Sequence, residues 1–276
     1  MKIAVLSDIH GNVPALDAVL DDIAGWNPDE VIVNGDLVSR GPNSLECLRL
    51  IEKRVPASRR LAGNHEEYVL ACVDHPPSAD DPDYDLHRFA LWTARRLGAA
   101  VDVLRGLENH VDLTGLEGGS SLHVTHGSRL GNRSGVAPET SDEELALRLG
   151  DARDLFVGSH THRPMIRRFN GNLVVNTGSV GQPFDGDPRA AYGRFTFAQG
   201  QWQAEIARVS YDRARAERDF SDSGFLDECG PLARLIQREF HECRMLVGPW
   251  MRVYREAIRS RQLTITEAVE EYLQSL

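Results

Sequence analysis

Side chains that bind metal ions occur in five short clusters of this sequence, most of them beside a glycine. The clusters are Asp8-x-His10, Gly35-Asp36, Gly63-Asn64-His65, His126-Gly127 and Gly158-x-His160-x-His162. Carboxylate, imidazole and amide donors without a thiolate suit manganese, iron or zinc rather than a structural cysteine-rich zinc site. A carboxylate can also bridge two ions about 3.5–4 Å apart and so create a two-metal hydrolytic site. The clusters therefore predict a metal centre that activates water.

The spacing within the clusters supports shared ligation. Residues i and i+2 of a strand point to the same side, and a pair just past the strand's end can keep that relation. We therefore expect Asp8 and His10 to bind one ion together, and His160 and His162 to face neighbouring ions. Glycines beside the ligands allow tight turns. Isolated histidines carry little signal, and the following are interpreted as structural or surface residues: His75, His87, His110, His123 and His241.

An apolar run precedes each cluster and predicts the strand that positions it. Runs at 2–6, 31–33 and 59–62 alternate with helical patterns at 14–24 and 43–53. This alternation predicts parallel strands joined by crossover helices, and ligands of such sheets lie beyond the carboxyl ends of the strands. All of the first three clusters fall at such ends.

The second half of the domain has a different texture. Short β-like stretches predict a second sheet that faces the first, with one helix around 142–149 between them, so the expected fold is an α/β sandwich. The stretches are 110–114, 121–125, 155–158, 165–169, 172–176, 193–197 and 202–209.

Two segments depart from this pattern. An insertion at about 74–92 begins with three prolines and five aspartates in 74–85, and we favour a solvated loop over a substrate-selecting cap. Residues 212–276 form a predicted helical extension that packs on its own domain or forms a dimer contact. Within it, Thr264-x-x-Glu267 predicts a capping box, and Gly248-Pro249 predicts a break after which Pro249 opens a new helix.

Composition narrows the function classes. The 276 residues carry a formal charge of −10, which argues against general nucleic-acid binding because that binding relies on basic surfaces. The four cysteines form no C-x-x-C pair and are interpreted as ordinary core or surface thiols. No apolar run approaches about 18 residues, and the N-terminal run is followed at once by Asp8 and His10. We therefore expect a cytoplasmic protein without a membrane segment.

In their order, the clusters resemble the signature of the calcineurin-like metallophosphoesterases, especially the small bacterial phosphodiesterases. They read SDIHGN, NGDLVSRGP, GNHEE, THGS and GSHTHRP between residues 7 and 163, and NTGSVGQPFDGDPRAAY at 176–192 extends the similarity. The resemblance implies a four-layer α/β/β/α sandwich of two mixed sheets flanked by helices. It implies a metallophosphoesterase domain, which we place at 1–211, and it does not cover the helical C-terminal extension.

The resemblance also implies residue roles. Asp36 is expected to bridge the two ions, while His65 is expected to protonate the leaving oxygen or stabilise the transition state beside Asn64. Arg40 corresponds to a phosphate-binding arginine, with a loop salt bridge as the alternative. Asp8, His10, Asp36 and His162 would bind the first ion, and Asp36, Asn64, His126 and His160 the second.

One departure concerns the protein phosphatases of this family, which have an aspartate that orients the catalytic histidine. Ser39 stands at that position here. His65 would then be oriented by Glu66, a backbone carbonyl or water, which weakens a protein-phosphatase assignment.

Three functional hypotheses follow. The first is a phosphodiesterase that cleaves a small substrate, a linear or cyclic nucleotide, by in-line attack of a hydroxide between two divalent ions. Manganese is the first choice, with iron, zinc, nickel, cobalt and magnesium as alternatives. The second is a phosphatase of proteins or dinucleoside polyphosphates, and the third is an inactive scaffold. Substrate contacts are expected from Arg40, Ser128 and Arg129, and from the insertion and 184–189.

Overall fold

The computed structural model describes residues 1–81 and 83–276. Its strands are β1 (Lys2–Leu6), β2 (Glu30–Asn34), β3 (Arg59–Leu61), β4 (His110–Leu113), β5 (Leu122–Thr125), β6 (Leu155–Gly158), β7 (Met165–Phe169), β8 (Asn172–Asn176), β9 (Ala190–Ala198) and β10 (Gln201–Val209). Its α-helices are α1 (Val13–Trp26), α2 (Ser44–Arg54), α3 (Asn64–Asp74), α4 (Tyr84–Leu97), α5 (Asp142–Leu149), α6 (Arg213–Asp222), α7 (Phe225–Glu228), α8 (Leu232–Glu242), α9 (Val247–Arg259) and α10 (Ile265–Ser275). Among the described residues, no helix has the length and apolar character needed to cross a bilayer.

The first sheet has the strand order β10-β9-β1-β2-β3. Strands β1, β2 and β3 are parallel, as predicted, whereas β9 runs antiparallel to both β1 and β10. The expectation that all later strands build the second sheet was therefore wrong for two of them. An alternating pattern shows that a segment is a strand, but it does not identify the neighbour with which that strand pairs.

The second sheet has the order β4-β5-β6-β8-β7. Strands β5, β6 and β8 are parallel to one another, and β4 and β7 pair antiparallel at the two edges. The carboxyl ends of β5 and β6 lead into the clusters at His126 and at His160 and His162. In both sheets, the polar clusters thus lie in loops that follow the carboxyl ends of the strands.

Alternation along β1 shows how the layers form. Ile3 and Val5 are buried between the two sheets, while Ala4 and Leu6 face the helices on the outer side. Fully burying each such aliphatic side chain stabilises the fold by about 1.5–3 kcal/mol. On the far side, Leu145 of α5 packs against the second sheet. These four layers confirm the predicted α/β/β/α sandwich.

The C-terminal helices pack on the sandwich. Helix α6 contacts α1, and α7 and α8 contact α4, so Phe89 of α4 joins the cores on both sides of that contact. The predicted capping box is confirmed, because the Thr264 hydroxyl accepts from the Glu267 N–H at 3.2 Å and the Glu267 carboxylate accepts from the Thr264 N–H at 2.8 Å. Pro249 lies in the first turn of α9, where its missing N–H leaves no helical bond unmade. The domain boundary at 211 and the dimer contact remain predictions.

The insertion at 74–92 is only partly a loop. Residues 74–77 and 79–81 are exposed except for one half-buried proline, and the helix that resumes at Tyr84 carries its side chains towards the metal-site cleft described below. Pro82 lies outside the described residues. The acidic first half of the insertion therefore agrees with a solvated loop. The second half belongs to α4, which lies beside the cleft, the position expected for a substrate-selecting cap.

Candidate metal centre

Two groups of ligating side chains meet where the strand ends of the two sheets converge, and they share Asp36. In each group, one ligand atom per residue lies within 4.8 Å of the others. All of the members are buried except His160, which is half-buried. The first group is Asp8, His10, Asp36 and His162, and the second is Asp36, His126 and His160.

Backbone carbonyls fix the orientation of three of the histidine rings. A carbonyl can only accept a hydrogen bond, so each Nδ1 carries the proton and each Nε2 turns its lone pair towards the cluster. This is the arrangement by which metal-binding histidines are usually held. The bonds join His10 Nδ1 to Ser39 O (3.3 Å), His126 Nδ1 to Asn34 O (2.9 Å) and His162 Nδ1 to Gln182 O (2.6 Å).

The inward-facing atoms fit a pair of cations. Nε2 of His10 and Nε2 of His162 are 3.1 Å apart, and Nε2 of His162 lies 3.2 Å from Oδ1 of Asp8. That Oδ1 is buried and has no hydrogen-bond partner within residues 1–81 and 83–276. Oδ2 of Asp36 lies 3.7 Å from Nε2 of His10 and 3.4 Å from Nε2 of His126. Lone pairs and carboxylates so close together in a buried site require positive charge between them, which divalent ions supply.

Asn64 extends the second group. It is the first residue of α3, and its Oδ1 lies 3.2 Å from Nε2 of His126. An amide oxygen is a neutral ligand that adds no further negative charge to the site. The structure thus brings together all seven side chains for which a ligand role is expected.

Burial and charge set the protonation of the remaining groups. Burial lowers the pKa of His160 to about 4, so its imidazole is neutral and free to act as a ligand. Burial likewise holds the pKa of His10 well below its usual range. Burial alone would raise the pKa of Asp36, but the charge and hydrogen bond that it shares with His126 outweigh burial and hold that pKa well below its usual range. Asp36 is therefore ionised. Burial alone would lower the pKa of His126, but the same pairing with Asp36 outweighs it and raises that pKa to about 10, so a metal ion at Nε2 would take the place of a proton.

An unusual backbone conformation aims the ligands. Asp8, His10, Asp36, His160 and His162 all have positive φ angles, between 49° and 68°. A non-glycine residue in this region costs on the order of 1–3 kcal/mol, so the surrounding fold must enforce it. The side chains of the i and i+2 pairs are thus directed by left-handed turns rather than by continued strand geometry, and their sharing of an ion stays a prediction.

Glycine is required where two of these loops touch. A Cβ on Gly63 would lie 2.1 Å from Oδ1 of Asp36. Gly35 has a φ of +80°, and its Cβ would lie 2.7 Å from Nδ1 of His126. Any side chain at either position would displace a ligand.

Glu66 braces the loops and does not orient His65. Its buried carboxylate accepts four backbone N–H groups, which join the loop of Asp36 to the start of α3. Burial, with repulsion from Asp36, raises the pKa of Glu66 to about 7, and the N–H donors oppose that rise. The donors are Asp36 (2.8 Å), Leu37 (2.8 Å), Val38 (3.2 Å) and Gly63 (2.7 Å).

His65 is held by packing. Its ring meets the ring of Tyr68 edge-on at 5.3 Å, lies 4.9 Å from the ring of His10 and 5.9 Å from that of Phe89. Its backbone N–H donates to Oδ1 of Asp36 at 2.9 Å, and in the described part of the chain its buried Nδ1 has no hydrogen-bond partner. Burial lowers the pKa of His65 to about 3, so the imidazole is neutral and still carries one N–H.

Arg40 links the metal centre to the C-terminal helices. Its Nε donates to Oε1 of Gln182 at 2.9 Å, and its Nη2 forms a salt bridge with Glu239 of α8. Glu239 is fully buried and also accepts the N–H groups of Leu246 and Val247, each at 2.7 Å. The salt-bridge alternative is therefore present, and the partner comes from the C-terminal extension rather than from the loop itself.

Ser128 and Arg129 lie elsewhere. After His126 the chain turns back on itself, since Ser128 N–H donates to Gly131 O at 3.2 Å. Arg129 forms a salt bridge with Asp151 at 3.1 Å. Ser128 and Arg129 both line a separate pocket of about 320 Å³. Their predicted role in substrate binding remains a prediction, without support from their position.

A cleft of about 580 Å³ opens onto the metal centre. One wall, the metal-side wall, consists of Arg40, His65 and four of the ligands, namely Asp36, Asn64, His160 and His162. The other comes from α3, α4 and the C-terminal helices. Phe184, in the stretch expected to influence the substrate, stacks on His162 with ring centroids 4.4 Å apart. His87, interpreted as a surface residue, is exposed but lines this cleft.

The sequence interpretation missed Gln182 and Glu239. Glu239 lies within a strongly amphipathic helical pattern, and its only sequence signal is an acidic residue between apolar neighbours on the buried face.

Comparison with known proteins identifies the family. The model of the calcineurin-like phosphoesterase superfamily domain matches residues 1–200. The chain belongs to this superfamily. Membership supports a hydrolase that acts on phosphoester bonds, and it agrees with divalent metal binding at the Asp and His cluster.

Two individual relatives are similar to most of this chain, and a third is similar to only a small part of it. An uncharacterized protein of Methanocaldococcus jannaschii is 31% identical over 240 residues, covering 78% of this chain and 89% of that protein. The crystal structure of a metallophosphoesterase from Sphaerobacter thermophilus has a TM-score of 0.69 and 26% identity, covering 88% of this chain and 98% of that one. A symmetrical bis(5′-nucleosyl)-tetraphosphatase of Serratia proteamaculans is 38% identical over 73 residues, only 26% of this chain and 25% of that enzyme.

Proposed function

We propose that this chain hydrolyses small phosphodiesters, with linear or cyclic nucleotides as the substrate class, at two divalent cations. The observation that carries this proposal is the sharing of Asp36 by two ligand groups whose donor atoms lie within 4.8 Å. One carboxylate between two groups of imidazoles suits a pair of ions at bridging distance. Manganese is the metal that we propose first, because the donors are oxygen and imidazole nitrogen.

The residues of the chain have distinct roles in this proposal. When bound, the ion pair supplies an activated water and neutralises charge on the phosphoryl oxygens. Asp36 holds the two positions at a fixed separation. The N–H of His65 donates to the leaving oxygen or to the developing charge, a contribution of about 10²–10⁴-fold in rate. Arg40 presents its remaining N–H groups to the phosphate.

The extent of the cleft favours a diester. A phosphate monoester has one organic group, whereas the cleft of about 580 Å³ continues from the ligands along α3, α4 and α9. The second candidate is a phosphatase of dinucleoside polyphosphates, and the similarity to the tetraphosphatases favours it. Against a protein phosphatase, Ser39 has no carboxylate with which to orient His65, and its buried hydroxyl has no hydrogen-bond partner among the residues that the structure describes.

A substrate panel tests the proposal. The manganese-loaded enzyme is assayed with bis-p-nitrophenyl phosphate, p-nitrophenyl phosphate, 2′,3′-cyclic AMP and diadenosine tetraphosphate. Turnover of the diesters well above that of the monoester is the expected result. Preference for the tetraphosphate would support the second candidate instead. Absence of turnover with every divalent metal, in protein that binds two ions, would contradict both and leave the scaffold hypothesis.

Further expectations remain predictions. Fractionation of the producing cells tests the cytoplasmic location, and sedimentation tests the homodimer through the C-terminal helices. Metal analysis of the purified protein tests manganese against the other divalent ions.

A further inference from the structure

The cleft changes character beyond the metal ligands. Its side next to the centre is polar, whereas the part further out is lined by aromatic and aliphatic side chains from two regions. Tyr68 of α3 and Phe89 of α4 form one face, and Val247 and Met251 of α9 belong to the other region. Each of these four side chains is half-buried, so each still has surface available to a ligand.

The aromatic face is continuous with the reaction centre. The rings of Tyr68 and Phe89 lie 5.3 Å and 5.9 Å from the ring of His65. A phosphate beside His65 would therefore have its organic group directly against these rings. The guanidinium of Arg133 lies 4.7 Å from the centre of the Tyr68 ring, which limits the movement of that ring.

The opposite region has features of a ligand-binding surface. Met245, which precedes α9 and lines the cleft, is 43% exposed, so its side chain is available to a ligand. Methionine makes favourable sulfur contacts with aromatic rings and adapts to their shape. The guanidinium groups of Arg133 and Arg255 also line the cleft. Their positive charge favours an anionic ligand.

Resting on the function proposed above, we infer that this part of the cleft binds a flat aromatic group of the phosphoester, a nucleobase or a simple aryl ring. The group lies between the rings of Tyr68 and Phe89 and the side chains of Val247 and Met251. The choice of ester thereby falls to α3 and α4 together with α9 of the C-terminal helices, while the loops at the strand ends carry out the hydrolysis. An aliphatic ester has no partner for the two rings.

Direct binding measurements test this inference without requiring turnover. Isothermal titration calorimetry on the manganese-loaded enzyme compares AMP, phenyl phosphate and methyl phosphate. AMP and phenyl phosphate should bind at least about tenfold tighter than methyl phosphate, since aromatic stacking supplies that difference. AMP tighter than phenyl phosphate identifies a nucleobase site, and equal affinity identifies a general aryl site. Equal affinity for all three ligands would overturn the inference.

Variants of α9 provide matched controls. Met251→Ala should weaken AMP binding about fivefold and leave methyl phosphate unchanged, as expected for loss of one sulfur–aromatic contact. Val253→Ala lies on the same helix, 65% exposed and away from the cleft lining, and should change neither affinity. If Met251→Ala unfolds, Met251→Gln, of similar length, replaces it. An unchanged AMP affinity in the folded variant would contradict the site.

The same data separate two kinds of failure. Loss of AMP affinity in Met251→Ala, in an enzyme that hydrolyses no phosphoester, would refute the proposed function and retain the aromatic site. Turnover of diesters with no preference for aromatic ligands would retain the function and refute the site.

Discussion

The two walls of the cleft are built in different ways. The metal-side wall consists of short loops at strand ends, with buried polar side chains and left-handed backbone at five ligand positions. The opposite wall consists of ordinary helices with half-buried apolar side chains. A ligand position on the first wall depends on glycines, carbonyls and Glu66 together, whereas a side chain on α9 can change alone. Under the proposed function, this contrast assigns the hydrolytic chemistry to backbone geometry and the choice of ester to replaceable side chains.

Arg40 and Gln182 connect the two walls. The Gln182 side chain accepts from Arg40 and donates to Ile236 O at 3.1 Å, and its backbone carbonyl holds His162. A displacement of α8 would therefore reach a metal ligand through two residues.

The largest effect is expected at the shared ligand. Asp36→Asn should reduce bound metal from two ions to near zero and abolish turnover, because one carboxylate serves both positions. Elemental analysis and diester hydrolysis measure the two quantities. Asp102→Asn, whose side chain is 78% exposed, is the control. Normal binding of two ions by Asp36→Asn would refute the shared position.

His65→Ala should retain both ions and lose about 10²–10⁴-fold in kcat. The loss should be larger for esters with poor leaving groups than for p-nitrophenyl esters, because the role proposed for the His65 N–H is donation to the leaving oxygen. His75→Ala, at the other end of α3, is the matched control. Equal losses for good and poor leaving groups would count against this role.

Glu66→Gln tests whether metal binding depends on the backbone conformation of the loops that Glu66 joins. Each carboxylate oxygen accepts two N–H groups, so an amide would place its NH₂ against two donors. We expect metal affinity to fall about 10–100-fold and the melting temperature to drop. Glu67→Gln, the exposed neighbour, should behave like the wild type. Unchanged metal affinity would show that the loops hold their shape without this carboxylate.

Glu239→Gln should have the smallest effect on turnover, at most about tenfold, while removing one partner of a buried pair costs about 3–5 kcal/mol of stability. Chemical denaturation and kcat/KM measure the two effects, with Glu242→Gln on the same helix as the control.

Arg40→Met sharpens the comparison. A much larger loss of kcat than in Glu239→Gln would show that Arg40 contacts the substrate. Equal losses that do not add in the double variant would show that Arg40 only links the two walls of the cleft.

Much of the site could be predicted because its information is local. Asp8 with His10, and His160 with His162, are close in sequence, and each pair follows an apolar strand whose end must face the same edge of its sheet. The role of Glu66 could not be predicted in this way, because the four N–H groups that it accepts come from two loops whose proximity depends on the pairing of β2 with β3.

The sequence by itself determined the ligand types, the parallel strands that carry them and the family signature. Only the tertiary structure decided that β9 and β10 join the first sheet, that Glu239 pairs with Arg40 and that α9 lines the cleft. The physical reason is distance along the chain. Periodicity and local spacing report which face of an element is apolar, but 199 residues separate Arg40 from Glu239, and only the packed helices bring them together.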